Sequence, residues 1–278
     1  MIKSLFSAIT GLKSHQTLMD VIGNNIANVN SAGFKSSRVV FTDVYYQTMA
    51  FASAPTATTG GANPTQTGHG SQVASIDVLN TRSGFQQTFR PLDNYIAGDG
   101  FFVLDDGNGN QSYSRVGNLN FDVEGKLIDG NGRSVCGSLT VLASPIAKTD
   151  VKAIEIADID KYTGIAIDTN GKITGVEKAT GTITDLAYIL LASFQNVDGL
   201  SQEGNMNRKE TVNSGTPTFS APGDDYTGLL ISGGLELSNV DLSKEFTDMI
   251  IAQRGFQANS RVITTSDEIL QELVNLKR

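Results

Sequence analysis

Cysteine is almost missing from this chain. Cys136 is the single one, which excludes an intrachain disulfide and any cysteine-rich metal site. Beside Val135 it reads as a small buried residue, and its flanks specify no link to another copy. No apolar run has the length of a membrane span, the longest lying at residues 187–194. A cleavable signal peptide is not expected. Ser4, Ser7 and Thr10 interrupt the apolar start, no small-residue cleavage site follows, and a helical period runs through it. If the protein leaves the cytoplasm, it is expected to keep its N-terminus.

Catalytic and ligand-binding signals are equally scarce. The two histidines, His15 and His69, have no nearby Ser, Cys or carboxylate that would make either a base. The run from Asp106 begins like a calcium loop. It has Gln111 where the sharp turn needs Gly and Gly117 where a bidentate Glu is needed. Gly98-Asp99-Gly100 opens a dinucleotide-like pattern, but Val103 stands in place of the third glycine. No enzyme, metal or cofactor is therefore expected. A formal net charge of −8 argues against nucleic acid or an anionic membrane as a partner, since both reward clustered Lys and Arg. Residues 1–38 are basic, with Lys3, Lys13, Lys35 and Arg38 against Asp20, so the acidic excess belongs to the middle of the chain.

What the chain does have is a matched pair of helical repeats at its ends. Ile2, Leu5, Ile9, Leu12, Gln16, Met19, Gly23, Ile26 and Asn30 follow steps of three and four. So do Leu242, Phe246, Met249, Gln253, Phe256, Ser260, Ile263, Asp267, Leu270 and Val274. Each stripe has one continuous apolar column: Leu5, Leu12, Met19 and Ile26, and Leu242, Met249, Phe256, Ile263 and Leu270. In each, the other column turns polar at its centre. Further apolar residues, including Leu18, Ile22, Val262, Ile269 and Leu273, widen both faces beyond a two-stranded seam. Two readings stay open: the helices cover a core, or they pack on each other and on neighbouring copies.

Between Asp43 and Asp77 no charged residue occurs, and residues 50–70 are rich in Ala, Thr, Gly and Pro. This composition suggests an extended linker arm. From about residue 71 to 232, short apolar runs alternate with Gly turns at Gly107, Gly125, Gly132 and Gly171, the pattern of hairpins. Gly33 is a candidate left-handed cap for the first helix, and residues 238–241 offer caps for the last.

The run Gly23-Asn24-Asn25-Ile26-Ala27-Asn28-Val29-Asn30-Ser31-Ala32-Gly33-Phe34-Lys35 resembles the N-terminal signature of bacterial flagellar rod and hook proteins. Gln253-Arg254-Gly255-Phe256-Gln257-Ala258-Asn259-Ser260 is similar to the C-terminal signature, and to the hook subunit in particular, because rod proteins tend to carry Tyr-Glu at Phe256-Gln257. Gly98-Asp99-Gly100-Phe101-Phe102 and Tyr113-Ser114-Arg115-Val116-Gly117-Asn118-Leu119 extend the likeness into the middle.

The resemblance implies a mainly β body whose N- and C-terminal α-helices pair as a coiled coil on assembly. The implied parts are an N-terminal helix over 1–32, a linker arm over 33–76, a β-rich outer domain over 77–236 and a C-terminal helix over 237–278. It also implies a structural subunit of the flagellar hook, compact like those of Gram-positive bacteria, with the distal rod as the alternative. Implied partners are copies of the chain in a helical tube, rod and hook-filament junction proteins, a hook cap during assembly, and the flagellar type III export machinery. The implied location is the extracellular flagellum. The assembly face is expected at Leu5, Ile9, Leu12, Met19, Ile22, Ile26, Leu242, Phe246, Met249, Phe256, Ile263, Leu270 and Val274. The signature residues are Asn24, Asn25, Ala27, Asn28, Gly33, Phe34, Lys35, Gln253, Arg254 and Asn259. A different class remains open in residues 138–235, where a β-rich extracellular enzyme or carbohydrate-binding module would fit.

Overall fold

A computed structural model describes residues 2–56, 60–107, 109–139, 146, 151–224 and 227–276. The chain divides into two compact units, one of residues 1–29, 36–79 and 240–278, the other of residues 30–35 and 80–239.

The first unit holds two long helices, α1 (Ile2–Ala27) and α2 (Leu242–Leu276). The start of α2 is capped as its sequence suggests. Asp241 Oδ1 accepts the backbone N–H groups of Ser243 at 2.9 Å and Lys244 at 3.3 Å, satisfying donors that the first turn leaves open. Between the helices in sequence run four strands: β1 (Ser37–Asp43), β2 (Tyr46–Ala50), β3 (Thr65–Gly68) and β4 (Ser71–Val78). β1 pairs antiparallel with β4, from Ser37 opposite Val78 to Asp43 opposite Ser71, and β2 pairs with β3. The segment expected as a linker arm is thus a folded two-stranded ribbon. Its Val, Thr, Phe and Tyr content favours pleated backbone, and α1 supplies what a lone ribbon lacks. Asn25 bonds both backbone groups of Ser37, and Gly70 lies so close to Thr10 that a Cβ there would overlap the hydroxyl.

The second unit is the β body. Its main antiparallel sheet runs in the order Tyr162–Ile167, Lys172–Glu177, Ile183–Ile189, Ser134–Ser138, Phe101–Asp105, Gln111–Ser114, Asn207–Lys209, Ser201–Gly204, with further strands branching from it. The strand Phe101–Asp105 is buried on both faces. Phe102 and Leu104 enter one apolar cluster with Leu119, Leu127 and Ile189, while Phe101 and Val103 enter another with Tyr113, Leu190 and Phe219. That two-residue alternation is the pleat itself. The expected Gly turns close hairpins, with Gly125, Gly132 and Gly171 all at positive φ. A short strand, Leu119–Phe121, follows in the same body.

Gly33 is left-handed, but it lies beyond the end of α1 and does not cap it. Its N–H donates to Glu236 O at 2.8 Å, and a Cβ would stand 3.0 Å from Val116. The glycine is needed for close packing in the body.

Candidate assembly interface

α1 and α2 pack on each other in antiparallel register. A Cβ on Gly11 would stand 2.8 Å from Asn259 Nδ2, and one on Gly255 would stand 2.5 Å from the His15 ring. Farther along, Asn25 Nδ2 donates to Glu245 Oε2 at 3.2 Å. From each of these pairs to the next, the number rises on α1 by as much as it falls on α2. The first two pairs are reciprocal: each helix offers a glycine to the longer side chain of the other.

The residues of this seam were not visible as an apolar stripe. On α1 they are Ala8, Gly11, His15, Leu18, Ile22 and Asn25, and on α2 Glu245, Ala252, Gly255, Asn259 and Ser266. Their spacing is again three and four on α1 and three, four or seven on α2, but the stripe lies roughly a quarter turn or less round each helix from the continuous apolar columns. Small residues win the closest approach because interaxial distance is set by the side chains at the contact. The available signal was the recurrence of Gly, Ala and Ser at heptad spacing.

The expected interface residues fall into three groups. Ile22 is buried. Leu5, Leu12, Met19, Ile26, Met249, Phe256, Ile263 and Leu270 are half-buried along the edges of the seam. Ile9, Leu242, Phe246 and Val274 are exposed. Other apolar side chains on the helices are exposed as well: Phe6 at 59%, Ile250 at 58% and Ile251 at 59%. In the observed register α2 runs past the start of α1 by about two turns, and Ile269, Leu273, Val274 and Leu276 on this overhang are all exposed. Together these side chains leave much apolar surface open on the helices.

The signature residues also divide. Asn25 is buried and bonds to β1 and α2 at once. Asn259 lies against Gly11, whereas Asn24, Ala27, Gln253 and Arg254 are exposed and Asn28 is half-buried. Asn28 Nδ2 bonds back to Asn24 O and Oδ1, both at 3.0 Å, just past the end of α1. In the body, Phe34 and Lys35 are buried. Lys35 Nζ donates to Glu236 Oε1 at 2.5 Å and to Thr81 O at 2.8 Å, and Arg115 Nε stands 3.3 Å from Glu236 Oε2. A lone acid between Leu235 and Leu237 was the sequence signal for this buried carboxylate.

His15 sits over Gly255 with its ring centroid 6.4 Å from Phe41, and His69 stacks on Tyr45 at 4.3 Å. Both have structural surroundings. Among the described residues no cluster of His, Cys, Asp or Glu is placed to hold a metal ion. Burial, aided by the Asp105 carboxylate, pushes the Cys136 thiol up to about 12, so the folded body offers it no part in a covalent link.

Three family models match this chain. The flagella basal body rod protein model covers residues 5–35, the flagellar hook protein FlgE/F/G D1 domain model residues 95–175, and the flagellar basal body rod FlgEFG protein C-terminal model residues 231–276. The flagellar basal-body rod protein FlgG of Bacillus subtilis is 47% identical over 283 aligned positions, with all of both chains covered. The chain belongs to the flagellar rod and hook axial protein family.

Other relatives of this flagellar protein bear both names. The flagellar hook protein FlgE of Borreliella burgdorferi is 30% identical over 443 positions, covering all of both chains. The rod protein FlgG of Agrobacterium fabrum is 33% identical over 269, covering 96% of each. The N-terminal match holds α1 from Leu5 onward and the Gly33–Lys35 run, and the C-terminal match holds α2. In this family of flagellar axial parts the paired terminal helices and the β body correspond to separately recognised segments. Among the described residues no helix is long and apolar enough to cross a membrane.

Proposed function

We propose that this chain is a structural subunit of the distal flagellar rod and polymerises with copies of itself into a tube. The observation that carries this reading is the 47% identity to a rod protein along the whole of both chains. Only five positions separate the 283-position alignment from the 278 residues of this chain. The hook relative needs 443 positions to align with the same 278 residues. The hook subunit is the second reading, favoured by Phe256-Gln257 where rod proteins tend to carry Tyr-Glu. Either way the role is structural, with no reaction of its own.

In the polymer, the exposed apolar faces of α1 and α2 and the overhang of α2 are covered by neighbouring copies. The half-buried columns then become fully buried, and the helices gain their full protection only in that setting. A seam of small and polar residues supports this, since an isolated helix pair draws most of its stability from apolar burial. The β body is the outer domain. Export through the flagellar type III machine, addition under a cap and contact with neighbouring rod and hook proteins follow from the same reading.

Electron microscopy of protein concentrated under polymerising salt tests it. Straight, rigid tubes support the rod, and curved ones the hook. A chain lacking residues 1–38 and 240–278 should form neither; tubes from that truncated chain would remove the helices from assembly. Full hydrogen-exchange protection of residues 2–27 in a verified monomer would overturn the proposal that the helices are secured by neighbours.

A further inference from the structure

The β body contains a cluster of buried charge that assembly through the helices does not use. Lys35, Arg115 and Arg208 are all buried, and the buried carboxylate among them is Glu236. The two guanidinium groups flank one aromatic ring, with Arg115 Cζ at 5.6 Å and Arg208 Cζ at 5.2 Å from the Phe101 centroid.

Hydrogen bonding in this cluster is incomplete on both sides, since Glu236 Oε2 is buried with no hydrogen-bond partner and faces only the Arg115 Nε charge. Arg115 Nη1 donates to Gly98 O at 2.8 Å and Gly100 O at 2.7 Å, and its Nε faces Glu236, while Nη2 has no partner among the described residues. Arg208 donates through Nη1 to Asn80 Oδ1 at 2.6 Å, and its Nε and Nη2 have no partner among the described residues. These guanidinium nitrogens are not sealed from solvent, so water or an anion can reach them. Burial, with the charge of Arg115, holds Arg208 down to about 10, and burial also lowers Lys35.

A cavity of about 50 Å³ opens beside them, lined among others by Lys35, Arg115, Phe101, Asn80, Asp99 and Val197. It has room for roughly four water-sized groups, the size of a carboxylate or a tetrahedral sulfate. Two further carboxylates stand near. Asp99 is largely exposed on the rim, 4.0 Å from Arg82 on the outside. Asp198 accepts from Asn80 Nδ2 at 2.6 Å, so Arg208 reaches it only through that amide. Both balance the buried cations at a distance.

We propose that this cavity is a binding site for a small oxyanion, held directly by Arg115 and Lys35, with Arg208 behind the Phe101 ring adding positive charge. Guanidinium pairs suit planar or tetrahedral oxyanions. The ligand comes either as a free inorganic ion or as an acidic side chain of a second copy.

The test titrates the full chain, kept monomeric, with sodium sulfate, sodium acetate and sodium chloride at equal ionic strength. The arginine Nε–Hε resonances are followed by NMR. Sulfate should give a saturating shift of the Arg115 signal that chloride does not. Saturation by acetate as well would place carboxylates within the range of the site, as an acidic side chain requires; sulfate alone would mark a free inorganic ion. Asp99→Asn should tighten sulfate about three- to fivefold by removing a nearby like charge, and Arg208→Gln should weaken it. A linear response identical for sulfate and chloride would overturn the proposal. So would unchanged affinity in Asp99→Asn, whose exposed side chain leaves folding intact even if Arg208→Gln does not fold.

Discussion

The β body and the helical unit bury different kinds of residue. The largest fully buried side chains all lie in the body, Phe102, Leu104, Tyr113, Leu119, Ile173, Ile189 and Phe219 among them. In the helical unit the buried residues are Ala8, Ser14, Ile22, Asn25, Ser36, Glu245, Ala252 and Ser266, while Phe6, Phe246, Ile250 and Ile251 are exposed. Each large apolar side chain buried contributes about 1.5–3 kcal/mol. The body holds such a core within one chain. The helical unit leaves much of its apolar surface exposed, and its own contacts set register more than they set stability.

The contrast can be broken from either side, and the largest effects belong to the body. Phe102→Ala should lower body stability by about 3–5 kcal/mol, read as a fall in the denaturation midpoint, because it opens a void in a closed core. Glu236→Gln leaves Lys35 and Arg115 buried without their carboxylate and should cost a similar 3–5 kcal/mol. Either change with no loss of stability would mean that the body does not depend on its interior.

Smaller effects belong to the seam. Gly255→Leu forces a side chain into the His15 ring and should weaken the assembled helices by about 1–3 kcal/mol while the midpoint of the body stays unchanged. Melting of the polymer and of the free body separates the two. Ile250→Ser with Ile251→Ser should change monomer stability by about 0.5 kcal/mol or less, yet abolish polymerisation in a sedimentation assay. Normal polymers from this double variant would show that the outward face is idle.

The smallest effect is chemical. With its folded value at about 12, Cys136 holds about one thiolate in ten thousand at pH 8, so thiol reagents should label it only after unfolding. The sign is fixed by the upward shift: below the ordinary thiol value its burial costs nothing in charge. As pH rises past about 9 the unfolded chain loses its proton first and stability falls. Cys136→Ala should remove that alkaline loss.

Local chemistry explains what the sequence disclosed. The alternation in Phe101–Leu104, the turn glycines and the Asp241 cap act over a few residues and were readable as such. The ribbon over 37–78 was hidden because its support comes from Ser14, Thr10 and Asn25 on a distant helix. The seam was hidden for another reason: Gly11, Gly255 and Ser266 carry almost no hydropathy signal, so the apolar columns beside them were the visible feature. Arg115 and Glu236 meet across the length of the body, and neither flank foretold the other.

Asn25 ties three separate stretches of chain with one amide: its own helix, the first strand of the ribbon through Ser37, and the start of α2 through Glu245. No two of them satisfy it. It behaves as a conjunction, completed only when the last-made part of the chain has returned to the first. An unfolded chain therefore carries an open latch, and the C-terminal helix is the key that shuts it.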